Sequence, residues 1–263
     1  MADFRVEPLA EDALLLRFGD GIDTATNARV HAAARALRDA DLPGIADIAP
    51  AYATLLLRFD PLAWTEDAGV RLEQALSPER LLVRGRGLGE GANIMQKTDA
   101  GDSRTASPLT LPSPPSSTMG EREIVVVPVC YGGEYGPDID AVAEHAGLSR
   151  DDVIARHTAA EYTVAMLGFA PGFPYLLGLD ASLHVPRRAT PRTRVAAGSV
   201  AIGGAQTGIY PRELPGGWHL IGRTPRVLFD SAREPPCLLA PGDRVRFRAI
   251  EADEFARRAE RDA

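Results

Sequence analysis

Lysine is almost absent from this chain. Of 29 basic side chains only Lys97 is a lysine, so positive charge is carried nearly everywhere by arginine. Nothing outside the neighbourhood of Lys97 can form a Schiff base or serve a phosphate loop, which argues against pyridoxal chemistry and an autonomous P-loop site. Cysteine is scarce too. Cys130 and Cys237 cannot build a disulfide framework and lack the paired His or Cys neighbours of a structural zinc site, so two packed thiols in a reducing compartment are expected. Long apolar runs are missing: the richest stretches, 13–16 and 124–127, stop at Arg17 and Pro128, far short of the ~20 residues of a membrane span. The opening MADFRVEPLAEDALLLRF puts acid ahead of any apolar core, unlike a secretory leader. A soluble cytoplasmic protein is the expectation. HExxH and G-x-S-x-G patterns are absent, and the five histidines (31, 145, 157, 184 and 219) are scattered. No metal site is expected, and no catalytic residue can be assigned.

What is present suffices for two compact domains, since 263 residues, 45% hydrophobic and 25% charged, can bury two ordinary cores. The net charge is −7, yet residues 184–226 hold seven arginines (187, 188, 192, 194, 212, 223 and 226) against one acid, Glu213. An acidic molecule with one basic segment suits a small anion better than a nucleic-acid backbone, which the rest of the surface would repel.

Periodicity divides the chain at a low-complexity stretch. Residues 13–18 read as a short apolar strand, and Asp23 or Thr24 caps a helix to about Ala40 with Val30, Ala33, Ala34 and Leu37 on one face. Leu42-Pro43-Gly44 ends it. Strands follow at 45–48 and 53–59, then a helix over about 65–76 and a short strand at 81–83. Residues 1–83 thus predict an α+β N-terminal domain with helices on one face of a small sheet. Residues 84–120 contain six Gly, four Pro, five Ser, four Thr and no aromatic, the composition of a flexible linker. Residues 121–263 predict a β-barrel domain. Its strand IVVVPV leads through YGGEYGPD, whose Asp138 can cap a helix to about His145, into a second helix at 149–157 with capping-box spacing between Ser149 and Asp152. YTVAMLGF, SVAIGG, QTGIYP, GWHLIG, TPRVLF and DRVRFRAI then read as short strands of a closed or nearly closed barrel. The charged helix after Glu251 reads as a solvated tail.

Three segments carry chemistry. PRRATPRTR at 186–194 displays four arginines between prolines that discourage a helix, either as a loop for carboxylate, phosphate or bicarbonate or as a solvated basic face. AAGSVAIGGAQTGIYP adds small residues that let backbone amides approach a ligand, and the polar groups of Ser199, Gln206, Thr207 and Tyr210. ELPGGWHLIGRTP adds Arg223 with Thr224, and Trp218 as an apolar wall or a core aromatic. LGFAPGFPYLLGL at 167–179 brackets Phe173 and Tyr175 in a bent apolar loop, a pocket wall or a partner-binding knob. His157 and Glu161, four apart across a helix end, read as a surface contact.

Taken in order, GFAPGFPYLLGL, PRRATPRTRV, AGSVAI, QTGIYP and PGGWHLIGRTP resemble the family of the prokaryotic 5-oxoprolinase B subunit. That family includes the Kip inhibitor of a sporulation histidine kinase, allophanate hydrolase subunit 1 and the carboxyltransferase subdomains of urea carboxylases. The resemblance is close over 124–247 and looser over 1–83. It implies an α+β N-terminal domain followed by a cyclophilin-like β-barrel domain. It also implies ATP-dependent opening of 5-oxoproline to glutamate, with ATP and magnesium bound in a complex with the 5-oxoprolinase C subunit, while a metal-dependent A subunit finishes the enzyme. The family's polar and glycine-rich signature falls here on Arg188, Arg192, Arg194, Ser199, Gln206, Thr207, Tyr210, Trp218, Arg223 and Thr224, which the resemblance makes substrate- or anion-binding positions. Ala196 stands where the family usually has Pro, Leu214 where Ser is usual, and 84–120 is longer than the usual connection. Two alternatives share these motifs: a regulator docking on a histidine kinase, and half of a biotin-dependent carboxyltransferase whose arginines would hold carboxylate or bicarbonate.

Overall fold

The computed structural model describes residues 4–64, 66–77 and 124–261. The expected strand at 81–83 and linker at 84–120 lie outside them. In the N-terminal part, β1 (Arg5–Ala10), β2 (Ala13–Arg17), β3 (Ile45–Pro50) and β4 (Thr54–Phe59) form an antiparallel sheet in the order β1-β2-β4-β3. α1 (Thr24–Ala40) crosses β3 and β4 and meets α2 (Glu66–Ala75). Asp23 starts α1 by accepting the Thr26 amide at 2.8 Å, and Asp41 ends it in the left-handed region. The expected face of Val30, Ala33, Ala34 and Leu37 is buried against Leu16, Leu55 and Leu57. Each such leucine contributes about 2 kcal/mol. β1 has no counterpart in the sequence reading. It is an exposed edge strand, and an edge tolerates Pro8 because one side of its ladder needs no donor.

The second part is a closed barrel, so the expected architecture of an α+β domain followed by a barrel is the one found. Its strands are β5 (Val125–Tyr131), β6 (Tyr162–Leu167), β7 (Pro174–Leu177), β9 (Ser199–Gly203), β10 (Gln206–Ile209), β12 (His219–Arg223) and β13 (Arg244–Ala249), ordered β10-β7-β6-β13-β5-β12-β9. Among these described strands only the β5–β13 pair is parallel. β8 (Arg192–Val195) and β11 (Leu214–Gly216) form a separate ribbon. α3 (Ile139–Ala146) and α4 (Arg150–Ala159) pack outside the barrel, α4 opened by the expected capping box of Ser149 and Asp152. α5 (Ala252–Ala259) ends the described chain.

Four readings need correction. PYLL is strand β7 and no bent loop, because β6 and β10 both pair with it. TPRVLF is irregular: Pro225 cannot donate to a ladder, and only an isolated Phe229–Cys237 bridge forms. α5 is docked and no free tail, with the Phe255 ring 4.7 Å from that of Tyr135 and 5.9 Å from the Arg223 guanidinium. His157 is fully buried, while Glu161 pairs with Arg244 and Arg246. One tautomer satisfies its surroundings: the Tyr131 hydroxyl donates to Nδ1 (2.8 Å), and Nε2 donates to Thr207 Oγ1 (3.1 Å), which donates to the Ala201 carbonyl (2.9 Å). Burial holds this imidazole neutral, with its pKa lowered to about 3.

The two parts meet along α1. Asn27 donates to the carbonyls of Ala51 (3.0 Å) and Tyr52 (3.1 Å) and reaches that of Ala165 on β6 (3.5 Å). One turn on, His31 is buried beside Gly242, and the Tyr52 and Tyr175 rings meet edge to face at 6.0 Å.

Candidate functional site

The basic loop folds back onto one acid. Asp138 stands at the N-cap of α3 but makes no side-chain cap bond there. Its carboxylate, 7% exposed, instead accepts from Arg188 (2.9 Å), from both terminal nitrogens of Arg192 (2.8 Å each) and from the Leu220 amide (2.8 Å). Burial pushes its pKa up, but the bonds from Arg192 and Leu220 and the two guanidinium charges outweigh that and hold it below the usual carboxylate value. Arg194 makes a bidentate pair with Glu213 (2.8 and 3.1 Å) on the exposed β8–β11 ribbon. Three of the seven arginines are therefore neutralised within the chain.

The ten positions marked by sequence fall in separate surroundings. Trp218 and Tyr210 belong to a buried aromatic cluster with Phe173 and Tyr175, whose centroids are 4.9–5.9 Å apart. The small residues of SVAIGG make room for this indole: a Cβ on Gly203 would stand 2.6 Å from it. Thr207 lies inside the barrel with its hydroxyl committed to His157 and Ala201. Ser199, Gln206 and Thr224 are buried, and Thr224 Oγ1 accepts the Arg226 amide. Arg223 donates Nε to the Ala197 carbonyl at 2.8 Å. On the β9–β12 ladder Ser199 faces Arg223 and Ile202 faces His219, so four residues, about 13 Å, separate Arg223 from the end near Trp218.

The LGFAPGFPYLLGL segment divides. Phe173 enters the aromatic cluster, whereas Phe169 is 59% exposed in a left-handed conformation (φ 66°) with its ring edge against Phe173. Such strain costs about 1–3 kcal/mol and persists where the surroundings impose it. Three residues were missed by the sequence reading. Asp138 lies 50 and 54 positions from its partners, Arg187 is one of four arginines of the basic segment that make no ion pair among the described residues, and Tyr52 lies on the other domain, so no local signal marks any of them. Both thiols are free, and burial raises their pKa values, so they stay protonated.

Residues 4–239 match the carboxyltransferase domain, subdomain C and D. The chain belongs to this family. Within the carboxyltransferase C and D family it is 38% identical to the 5-oxoprolinase B subunit of Bacillus subtilis (strain 168) over 252 residues, covering 96% of this chain and 95% of that protein. It is 58% identical to the 5-oxoprolinase B subunit of Escherichia coli O157:H7 over 127 residues, 48% of this chain and 58% of that one. Among solved structures, TTHA0988 superposes with a TM-score of 0.69 and 36% identity over 92% of this chain, which spans 40% of that longer chain. Kluyveromyces lactis urea carboxylase shares the fold (TM-score 0.64, 19% identity, 98% of this chain and 23% of that one). The family resemblance carried by the five motifs holds.

Proposed function

We propose that this chain is the B subunit of an ATP-dependent 5-oxoprolinase, a cyclic-amide hydrolase that opens 5-oxo-L-proline to L-glutamate in the cytoplasm and is active only in complex with the C and A subunits. The observation that carries this reading is the 38% identity extending over 95% of the Bacillus subtilis 5-oxoprolinase B subunit. The likeness to yeast urea amidolyase, 30% over 7% of that protein, is more distant.

A lactam is a poor electrophile, and ATP would supply the activation by phosphorylating the amide oxygen. Fixed guanidinium groups suit that chemistry because they stabilise developing negative charge without reorganising. Among the described residues no group of three or more His, Cys, Asp or Glu is arranged to hold a metal ion. ATP, with magnesium, would be bound in the assembled complex.

Glutamate formation from 5-oxoproline, followed with and without ATP, tests the reading. Activity is expected when the chain is combined with the C and A subunits, and little or none from the chain alone. An inactive assembly would overturn the function, and robust turnover by the isolated chain would overturn its dependence on partners.

A further inference from the structure

Four of the seven basic-segment arginines, 187, 212, 223 and 226, make no ion pair among the described residues. Arg187 differs from the others in how it is held. On one side, the Arg188 amide donates to the Gly217 carbonyl (2.8 Å) and the Arg188 guanidinium is tied to Asp138. On the other, His219 Nε2 donates to the Pro186 carbonyl (3.0 Å). The exposed Arg187 guanidinium lies 5.8 Å from the centroid of Trp218, which Phe173 and Tyr175 brace from within. The cation is thus preorganised on a fixed loop, and no carboxylate among the described residues meets it.

Its surroundings match one kind of ligand. Burial raises the phenol pKa values of Tyr52, Tyr175 and Tyr210, and the nearby Arg187 charge opposes that rise in all three. The Tyr52 hydroxyl is buried with no hydrogen-bond partner among the described residues, an arrangement that costs free energy unless a ligand group satisfies it. A guanidinium fork, a phenol edge and an unpaired hydroxyl together suit a carboxylate carried on a small ring that bears a second polar group.

We propose that Arg187, held over Trp218 beside Tyr52 and Tyr175, anchors the carboxylate of a small cyclic acid. Resting on the function proposed above, that acid is 5-oxoproline, with the Tyr52 hydroxyl meeting its lactam. The site draws on residues from both domains, and Arg188 and Arg192 act as positioning residues through Asp138.

The test uses the full chain carrying Trp64→Phe, which leaves Trp218 as its sole indole. Indole emission is titrated with 5-oxo-L-proline, with 2-pyrrolidinone, which lacks the carboxylate, and with cyclopentanecarboxylate, which lacks the lactam. Saturable change is expected with 5-oxoproline, weaker binding with cyclopentanecarboxylate, and none with 2-pyrrolidinone over the same range. Arg187→Gln should weaken 5-oxoproline binding about tenfold or more at unchanged thermal midpoint. Tyr52→Phe should weaken 5-oxoproline but not cyclopentanecarboxylate, and substitution of the exposed Arg257 on α5, Arg257→Gln, should change neither. In the assembled enzyme Arg187→Gln should raise KM for 5-oxoproline by a similar factor. Unchanged affinity and KM in Arg187→Gln, equal binding of 2-pyrrolidinone, or no binding of 5-oxoproline would each overturn the site. An unchanged KM in an active assembly would do so while leaving the proposed function standing. Arg187-dependent binding beside an inactive assembly would support the site and overturn that function.

Discussion

At the scale of single residues, the organising group is Asp138, a carboxylate that serves the basic loop and not the helix it precedes. Its bonds to Arg188, Arg192 and the Leu220 amide replace the hydration it loses on burial. Asp138→Asn keeps the shape and removes the charge, leaving two guanidinium groups without their counter-ion. The loss expected in denaturant unfolding is about 3–5 kcal/mol, the usual cost of breaking a buried pair from one side. The Asp138 pKa is lowered in the fold, so its contribution is present above the ordinary value of 3.8 and is lost as pH falls through the lower folded value. An Asp138→Asn chain as stable as the parent would mean the triad is not what holds the loop. The loop's arginine count was legible in sequence. Which arginines are neutralised was not, because Asp138 lies 50 and 54 positions from its partners.

At the scale of elements, legibility followed how local the cause is. α1 and α4 could be read closely because a cap and an apolar face lie within one stretch of chain: Asp23 to Leu37 for the first, Ser149 to Val153 for the second. β7 and β1 could not. PYLL is too short to show alternation and becomes a strand because β6 and β10 flank it, while RVEPLA carries the proline and exposure of an edge. Glycines were legible as residues but not in all they serve, since Gly203 leaves room for Trp218, and Gly208 for the Pro174 carbonyl as well as the indole. Ser149→Ala should cost about 1 kcal/mol by removing the α4 cap. Gly203→Ala should cost more, because its new methyl meets the indole at 2.6 Å and the aromatic cluster must shift. Thermal midpoints of the two variants measured side by side check the order, and a milder Gly203→Ala would show that Trp218 has room to move.

At the scale of the whole molecule, two histidines make stability depend on pH. Neither role was readable from sequence: His157 meets Thr207 across 50 positions, and His31 reads as one more residue of an amphipathic helix. Burial, followed by the charges of Arg35 and Arg38, lowers the His31 pKa to about 4, against weaker opposing contacts to the Ala165 and Val164 carbonyls. His157 falls to about 3 by burial alone. In the unfolded chain both titrate near 6.5, so below that pH the unfolded state takes up protons that the folded state refuses. Both contributions are therefore complete above about 6.5 and decline on acidification, each at about 1.4 kcal/mol per pH unit, until the folded values of about 4 and 3 are reached. Denaturant unfolding at pH 7, 6 and 5 isolates them, because exposed carboxylates have scarcely begun to protonate at pH 5. The parent should lose stability between pH 6 and 5, and His31→Asn should lose about half as much over that interval. An equal slope in the variant would mean that His31 is not kept neutral at the contact between α1 and the barrel.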